Sequence, residues 1–183
     1  MWCVIYAGDD REEKTEDFIK ALLPASSYTR CFHLVQHKAQ KSQGMLRDVV
    51  RKYLPGYVFI ETDKPEVVHD ILKKTPKRLL FSDNWSVSTL GGEGEALFRL
   101  SVDERGEIGL STARTSVDAG NGKKKNEYLS GPLVKVADKV VYVNYHRRFA
   151  VIGGDFIGGK EPLRLGFRFD GEEIGKMVNQ AGI

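Results

Sequence analysis

Leu46-Arg47-Asp48-Val49-Val50-Arg51-Lys52-Tyr53-Leu54-Pro55-Gly56-Tyr57-Val58-Phe59-Ile60-Glu61-Thr62 is the stretch whose reading decides the fold. A basic, half-apolar segment runs into Pro55-Gly56, and the aromatic, β-branched run Tyr57-Val58-Phe59-Ile60 follows at once. Proline has no amide hydrogen for a strand ladder, and glycine accepts backbone angles that other residues avoid. The pair therefore predicts a sharp re-entry into a sheet. Upstream, residues 28–54 alternate basic and apolar side chains as two extended segments around a turn at Ser42-Gln43-Gly44.

Working outward, Trp2 to Ala7 is continuously apolar and suits a central strand covered on both faces. Phe18, Ile19, Leu22 and Leu23 recur at helical spacing, with an Asp10/Glu13 capping box before them and Pro24 after. Val67, Val68, Ile71 and Leu72 repeat the pattern between an Asp63/Glu66 capping box and Pro76. Arg78 to Phe81 then returns to the sheet. The order is β-α-β-β-α-β: an α+β N-terminal domain over 1–104, with an antiparallel sheet flanked by helices. Leu90, Leu97 and Leu100 suggest a short helix that Gly91, Gly92 and Gly94 would weaken. From 105 to 127 the apolar pattern gives way to Gly, Ser, Thr and charge, the composition of a linker. Beyond it, Tyr128-Leu129, Val140–Val143, Phe149–Ile152 and Leu163–Phe169 are short strands separated by turns at Asn144–Arg147 and Gly158-Gly159. They predict a small all-β barrel over 128–170, followed by a loose tail, 171–183.

The chain has 183 residues, 29% of them charged, and a net charge of +3. That charge is unevenly spread. Residues 30–52 hold six basic side chains against Asp48 alone, and residues 123–168 hold ten against four acidic ones. Two basic tracts in a nearly neutral chain suit contact with a polyanion. Asp9, Asp10, Glu12 and Glu13 interrupt the first apolar run, so no secretory leader is expected, and no apolar stretch reaches the roughly 20 residues that span a bilayer. A cytoplasmic protein is expected. Cys3 and Cys31 form no metal-spaced pair, and His33, His37, His69 and His146 lack metal-ligand spacing. No Ser/His/Asp or Cys/His constellation and no phosphate-cradling glycine loop stands out, so neither metal, cofactor nor catalysis is expected.

The Pro55-Gly56-Tyr57-Val58 segment resembles that of the N-terminal (NGN) domain of the NusG family of transcription elongation factors. Gly131-Pro132-Leu133, Asn144 to Val151, Ile157-Gly158-Gly159-Lys160 and Leu165-Gly166-Phe167 resemble the SH3-like KOW domain of specialised paralogs in that family, nearest to LoaP-type processive antiterminators. Val134 to Asp138 stands where the family usually carries a further glycine. The resemblance implies a monomeric elongation or antitermination factor. Its first domain would grip the β′ clamp helices of RNA polymerase, and its KOW domain a nascent RNA hairpin or a partner factor. A general housekeeping member of the family is the alternative, and a free-standing RNA-binding module that never meets polymerase is another.

The resemblance makes Trp2, Tyr6, Tyr53, Pro55, Gly56, Tyr57, Phe59 and Phe81 the polymerase-binding set, with Tyr53 and Tyr57 the preferred exposed members. An exposed aromatic depression is a suitable docking anchor; packing of the same rings into the core is the competing role. The nucleic-acid set is Arg30, Lys38, Lys41, Arg47, Lys135, Arg147, Arg148, Lys160 and Arg164. Arg147 and Arg148, at the hairpin tip beside Tyr145 and His146, offer forks that match phosphate oxygens and guanine edges, against the alternative of a solvated turn. Lys123-Lys124-Lys125 reads as a solvated charge run.

Overall fold

The computed structural model describes residues 1–76, 87–118, 120, 122, 124–154 and 162–179. The chain is a mixed α+β protein with two mixed sheets and few helices, divided into two compact units: Met1–Leu34 with Lys52–Ala96, and Val35–Arg51 with Leu97–Ile183.

The first unit is built on β1 (Trp2–Tyr6), which lies between β3 (Met45–Glu61) and β4 (Val87–Leu90) and is antiparallel to both. Beyond β3 lies β2 (Arg30–Ser42). Helices α1 (Glu12–Leu22) and α2 (Pro65–Lys74) complete two split β-α-β units. Alternation along the strands sends Cys3, Ile5, Cys31, Val58 and Ile60 to one face, where Ile19 and Leu23 meet Val68 and Leu72. Neither capping box forms. Arg11 and Lys64 are the N-caps, without side-chain cap bonds, and Asp10 sits at φ +60°. Pro24 and Pro76 follow the helix ends as expected. The expected strand over 78–81 and Phe81 itself lie outside the described residues.

Pro55-Gly56 does not separate a segment from a strand; it bends one continuous strand. Within β3, Leu54 (φ +53°) and Gly56 (φ +84°) both take left-handed backbone angles. A Cβ on Gly56 would stand 2.7 Å from the Tyr6 ring and 3.2 Å from the Gly8 carbonyl carbon, so only glycine fits. Glu12, buried at the start of α1, accepts the Gly56 amide at 2.7 Å and the Lys52 ammonium at 2.7 Å. Burial disfavours its charge, but these hydrogen bonds outweigh burial and hold the acid below its ordinary pKa.

The second unit holds the distal half of the β2–β3 hairpin. Its two turn residues, Gln43 (φ +50°) and Gly44 (φ +80°), have the paired positive φ of a type I′ turn. β5 (Glu107–Ile108) pairs in parallel with β2 at Val35 and Gln36, and β11 (Gly175–Asn179) pairs in parallel with β3 at Arg47, Val49 and Val50. The expected loose tail thus includes a strand. α3 (Gly92–Ser101) forms despite its glycines, with Leu97 and Phe98 buried; Leu90 belongs to β4, and Leu100 is exposed. Burial of apolar side chains outweighs the roughly 1 kcal/mol that each helical glycine costs.

The expected linker is also structured. β6 (Ser111–Val117) and β7 (Lys124–Ser130) form an antiparallel pair, and β6 runs parallel to β10 (Leu163–Phe169) through Phe167↔Ser111 to Phe169↔Ala113. β10 continues antiparallel to β9 (Phe149–Ile152), and β9 to β8 (Val140–Asn144), giving the order β7-β6-β10-β9-β8. The pairing therefore extends beyond the expected barrel of 128–170 into a five-stranded mixed sheet. Residues 132–139 form α4 (Pro132–Lys135) and a 3-10 turn, burying Leu133 and Val136. The expected turn at Gly158-Gly159 lies outside the described residues. A protease nick between Val117 and Lys124 is expected to leave two fragments that co-elute on gel filtration, because β6 stays paired to β10 across the cut. Fragments that part under native conditions would restore the linker.

Candidate nucleic-acid interface

The second unit carries a depression of about 440 Å³ whose lining draws on both basic tracts. Lys38, Lys41 and Arg51 come from the β2–β3 hairpin, and Arg147, Arg148 and Arg164 from the β8–β9 turn and β10. Gln40, His146, Phe149 and Gly166 complete the polar and close-packed parts of the wall, and among the described residues no carboxylate lines it. Gly166 explains the convergence. A Cβ there would lie 2.8 Å from the His37 carbonyl oxygen and 3.4 Å from the Lys38 Cα, so glycine lets β10 pass against the hairpin backbone. The Gln36 amide donates to the Arg164 carbonyl at the same crossing.

The two tip arginines have different roles. Arg147 is exposed, its amide donates to Asn144 Oδ1 at 2.8 Å, and its guanidinium has no ion pair among the described residues. Arg148, at φ +57°, turns inward. It pairs with Glu172 at 2.5 Å, donates to the Tyr145 carbonyl and covers the Phe169 ring at 4.0 Å. Its fork is committed within the fold, so the expected twin-arginine tip presents Arg147 as its outward cation. Arg164 is exposed, 5.6 Å over the Phe149 ring. Lys41 is exposed without an ion pair among the described residues.

Of the sequence-derived nucleic-acid residues, Lys38, Lys41, Arg147, Arg148 and Arg164 therefore share one wall. Arg30 stands elsewhere, bonded to Glu61 at 2.5 Å and lying 4.5 Å over Phe32. Arg47 lies opposite Gly175 in the strand register, and Lys135 is on α4; neither lines the depression. Lys160 lies outside the described residues. Arg51 belonged to the first basic tract but was not singled out, and its fourfold alternation with Arg47 on one strand face gave no signal to separate them. Phe149 and Gln40 were missed for the same lack of a local signal.

Of the polymerase-binding set, Trp2 and Phe59 are wholly buried and pack with Phe32 at ring distances of 5.3–5.9 Å. Tyr6 and Tyr57 are half-buried against each other at 5.1 Å, Tyr53 is half-buried, Pro55 is exposed and Gly56 is buried. The rings that reach solvent are thus Tyr6, Tyr53 and Tyr57. Burial pushes the Cys31 thiol up to about 12, so it stays protonated and unreactive at neutral pH. Among the described residues no cluster of three His, Cys, Asp or Glu is placed to hold a metal, and no helix is long and apolar enough to cross a membrane.

No family model matches the chain, and no curated protein does. Among solved structures, one described as a crystal structure of the MjSpt4:Spt5 complex in conformation B is similar over 91% of this chain and 92% of its own, at 14% identity and a TM-score of 0.31.

Proposed function

We propose that this protein is a transcription elongation and antitermination factor of the NusG kind, and that its basic depression holds nucleic acid. The observation that carries the nucleic-acid part is the lining: six basic side chains from two distant tracts, of which Arg148 is turned to Glu172, and no carboxylate among the described residues. Lys and Arg neutralising successive phosphates release counterions, a sequence-independent source of affinity. A nascent RNA hairpin or the DNA of an elongation complex is the ligand. RNA polymerase, gripped at its β′ clamp helices by the surface around Tyr53, Pro55 and Tyr57, is the partner. The polymerase part rests on the resemblance of Pro55-Gly56-Tyr57-Val58 and on the solvent-reaching tyrosines. Such a factor works by favouring a processive polymerase state through binding alone, with no bond made or broken.

The depression equally serves a free-standing RNA-binding module, since nothing in its lining requires polymerase. Pull-down on isolated β′ clamp helices, followed by transcription past a terminator with and without the native leader, separates the two. Retention on the helices and leader-dependent read-through are expected. RNA binding without retention on the helices would leave only the module, and retention on the helices without binding to any nucleic acid would remove the module and the role of the depression.

A further inference from the structure

One imidazole, next in sequence to the Lys38 that lines the basic depression, joins three strands. His37 on β2 is buried; its Nδ1 lies 2.8 Å from Asp48 Oδ2 on β3, and its Nε2 3.3 Å from Glu107 Oε2 on β5. A neutral imidazole has one N–H and can donate to one carboxylate, whereas the imidazolium donates to both. The next residue, Lys38, lines the depression, and the carbonyl of His37 is the atom that β10 approaches at Gly166. The ring therefore ties the stretch of β2 that forms one wall to its neighbours on either side. We infer that His37 is a positioning residue for the nucleic-acid site, holding its β2 wall while the ring carries a proton; this rests on the depression being where the polyanion binds.

Among the described residues, the charged groups facing the ring are Asp48 from β3 and Glu107 from β5; β10 passes the His37 backbone carbonyl at Gly166, and its Arg164 carbonyl is taken up by the Gln36 side chain. Burial opposes the charged ring, but Asp48 and then Glu107 prevail and raise its pKa above the ordinary 6.5. The contribution is complete below that ordinary value and is lost as pH rises through the raised one. On deprotonation two carboxylates share one N–H, and the region behind Lys38 gains one negative charge. Both changes weaken the hold on a polyanion.

The test is fluorescence anisotropy of a labelled RNA stem-loop on the full chain, at constant ionic strength, between about pH 5.5 and 9. Affinity is expected to fall about three- to tenfold as pH rises through the transition, the scale of one partly screened charge. His37→Gln is expected to bind at the weak alkaline level throughout. Glu107→Gln changes a side chain that is 41% exposed; it is expected to keep the fold, checked by circular dichroism, and to move the midpoint to lower pH. His146→Asn removes the imidazole in the lining itself; whatever its effect on absolute affinity, the midpoint of the pH dependence is expected to stay at the wild-type value. A wild-type affinity independent of pH overturns the inference, as does a profile that vanishes with His146 or a midpoint unmoved in Glu107→Gln. Absence of RNA binding at every pH instead overturns the nucleic-acid reading, and the inference with it.

Discussion

Replacing Lys41, Arg147 and Arg164 together by alanine is expected to weaken RNA binding about a hundredfold or more at moderate salt. A hydrogen bond to a charged group contributes roughly 1.5–3 kcal/mol, reduced to about 1 kcal/mol for these solvent-facing side chains. All three line the depression, and Lys41 and Arg147 have no ion pair among the described residues, so their loss leaves no acid uncompensated. Each lost phosphate contact should also lower the slope of log affinity against log salt by about 0.7–0.9. Titrations at several KCl concentrations measure both quantities. An unchanged slope would mean that the polyanion binds elsewhere. Arg148→Ala is a poor probe of the same surface, because it also strips the partner from Glu172 and uncovers Phe169.

Phe59→Ala should cost about 3–5 kcal/mol of stability in urea denaturation, the range for a large core aromatic. The ring is fully buried, with Trp2 on β1 at 5.9 Å and Phe32 on β2 at 5.8 Å, so its removal leaves a cavity between two strands. Tyr57→Ala is the contrasting case. Its ring is half-buried beside Tyr6, so the loss should be nearer 1 kcal/mol, while binding to the clamp helices falls by more than about 1 kcal/mol if the tyrosine is a docking anchor. A Phe59→Ala variant as stable as the parent would put that ring outside the core. Unchanged clamp binding in folded Tyr57→Ala and Tyr53→Ala would remove the docking surface.

The positions legible in the sequence are those where one residue's backbone chemistry decides the outcome. Gln43-Gly44 closes the β2–β3 hairpin, Pro24 and Pro76 follow helix ends, and Val140–Asn144, Phe149–Ile152 and Leu163–Phe169 are strands because their β-branched and aromatic runs suit a pleated surface. Elsewhere a local signal met a stronger distant one. The short helix that Gly92 and Gly94 were expected to weaken forms because Leu97 and Phe98 are buried, and polar Ser111–Val117, expected as linker, becomes a strand because β10 supplies it a partner. At α1 the capping box gives way to other partners: Asp10 meets Lys52, and Glu12 is held by Gly56 and Lys52.

The two basic tracts, the alternating hairpin and the glycine at 56 all follow from residue types and their spacing. That Lys38, Lys41 and Arg51 face Arg147 and Arg164 across one depression does not, because periodicity reports which face a side chain takes and not which strands meet. Gln36 and Arg164 are 128 residues apart, yet they bond where Gly166 lets two backbones pass closely. Arg148 looked like the equal of Arg147 until Glu172, 24 residues on, claimed its guanidinium. Charge is a property of the residue, but whether that charge is spent inside the fold or offered to a ligand depends on the neighbour that topology brings to it.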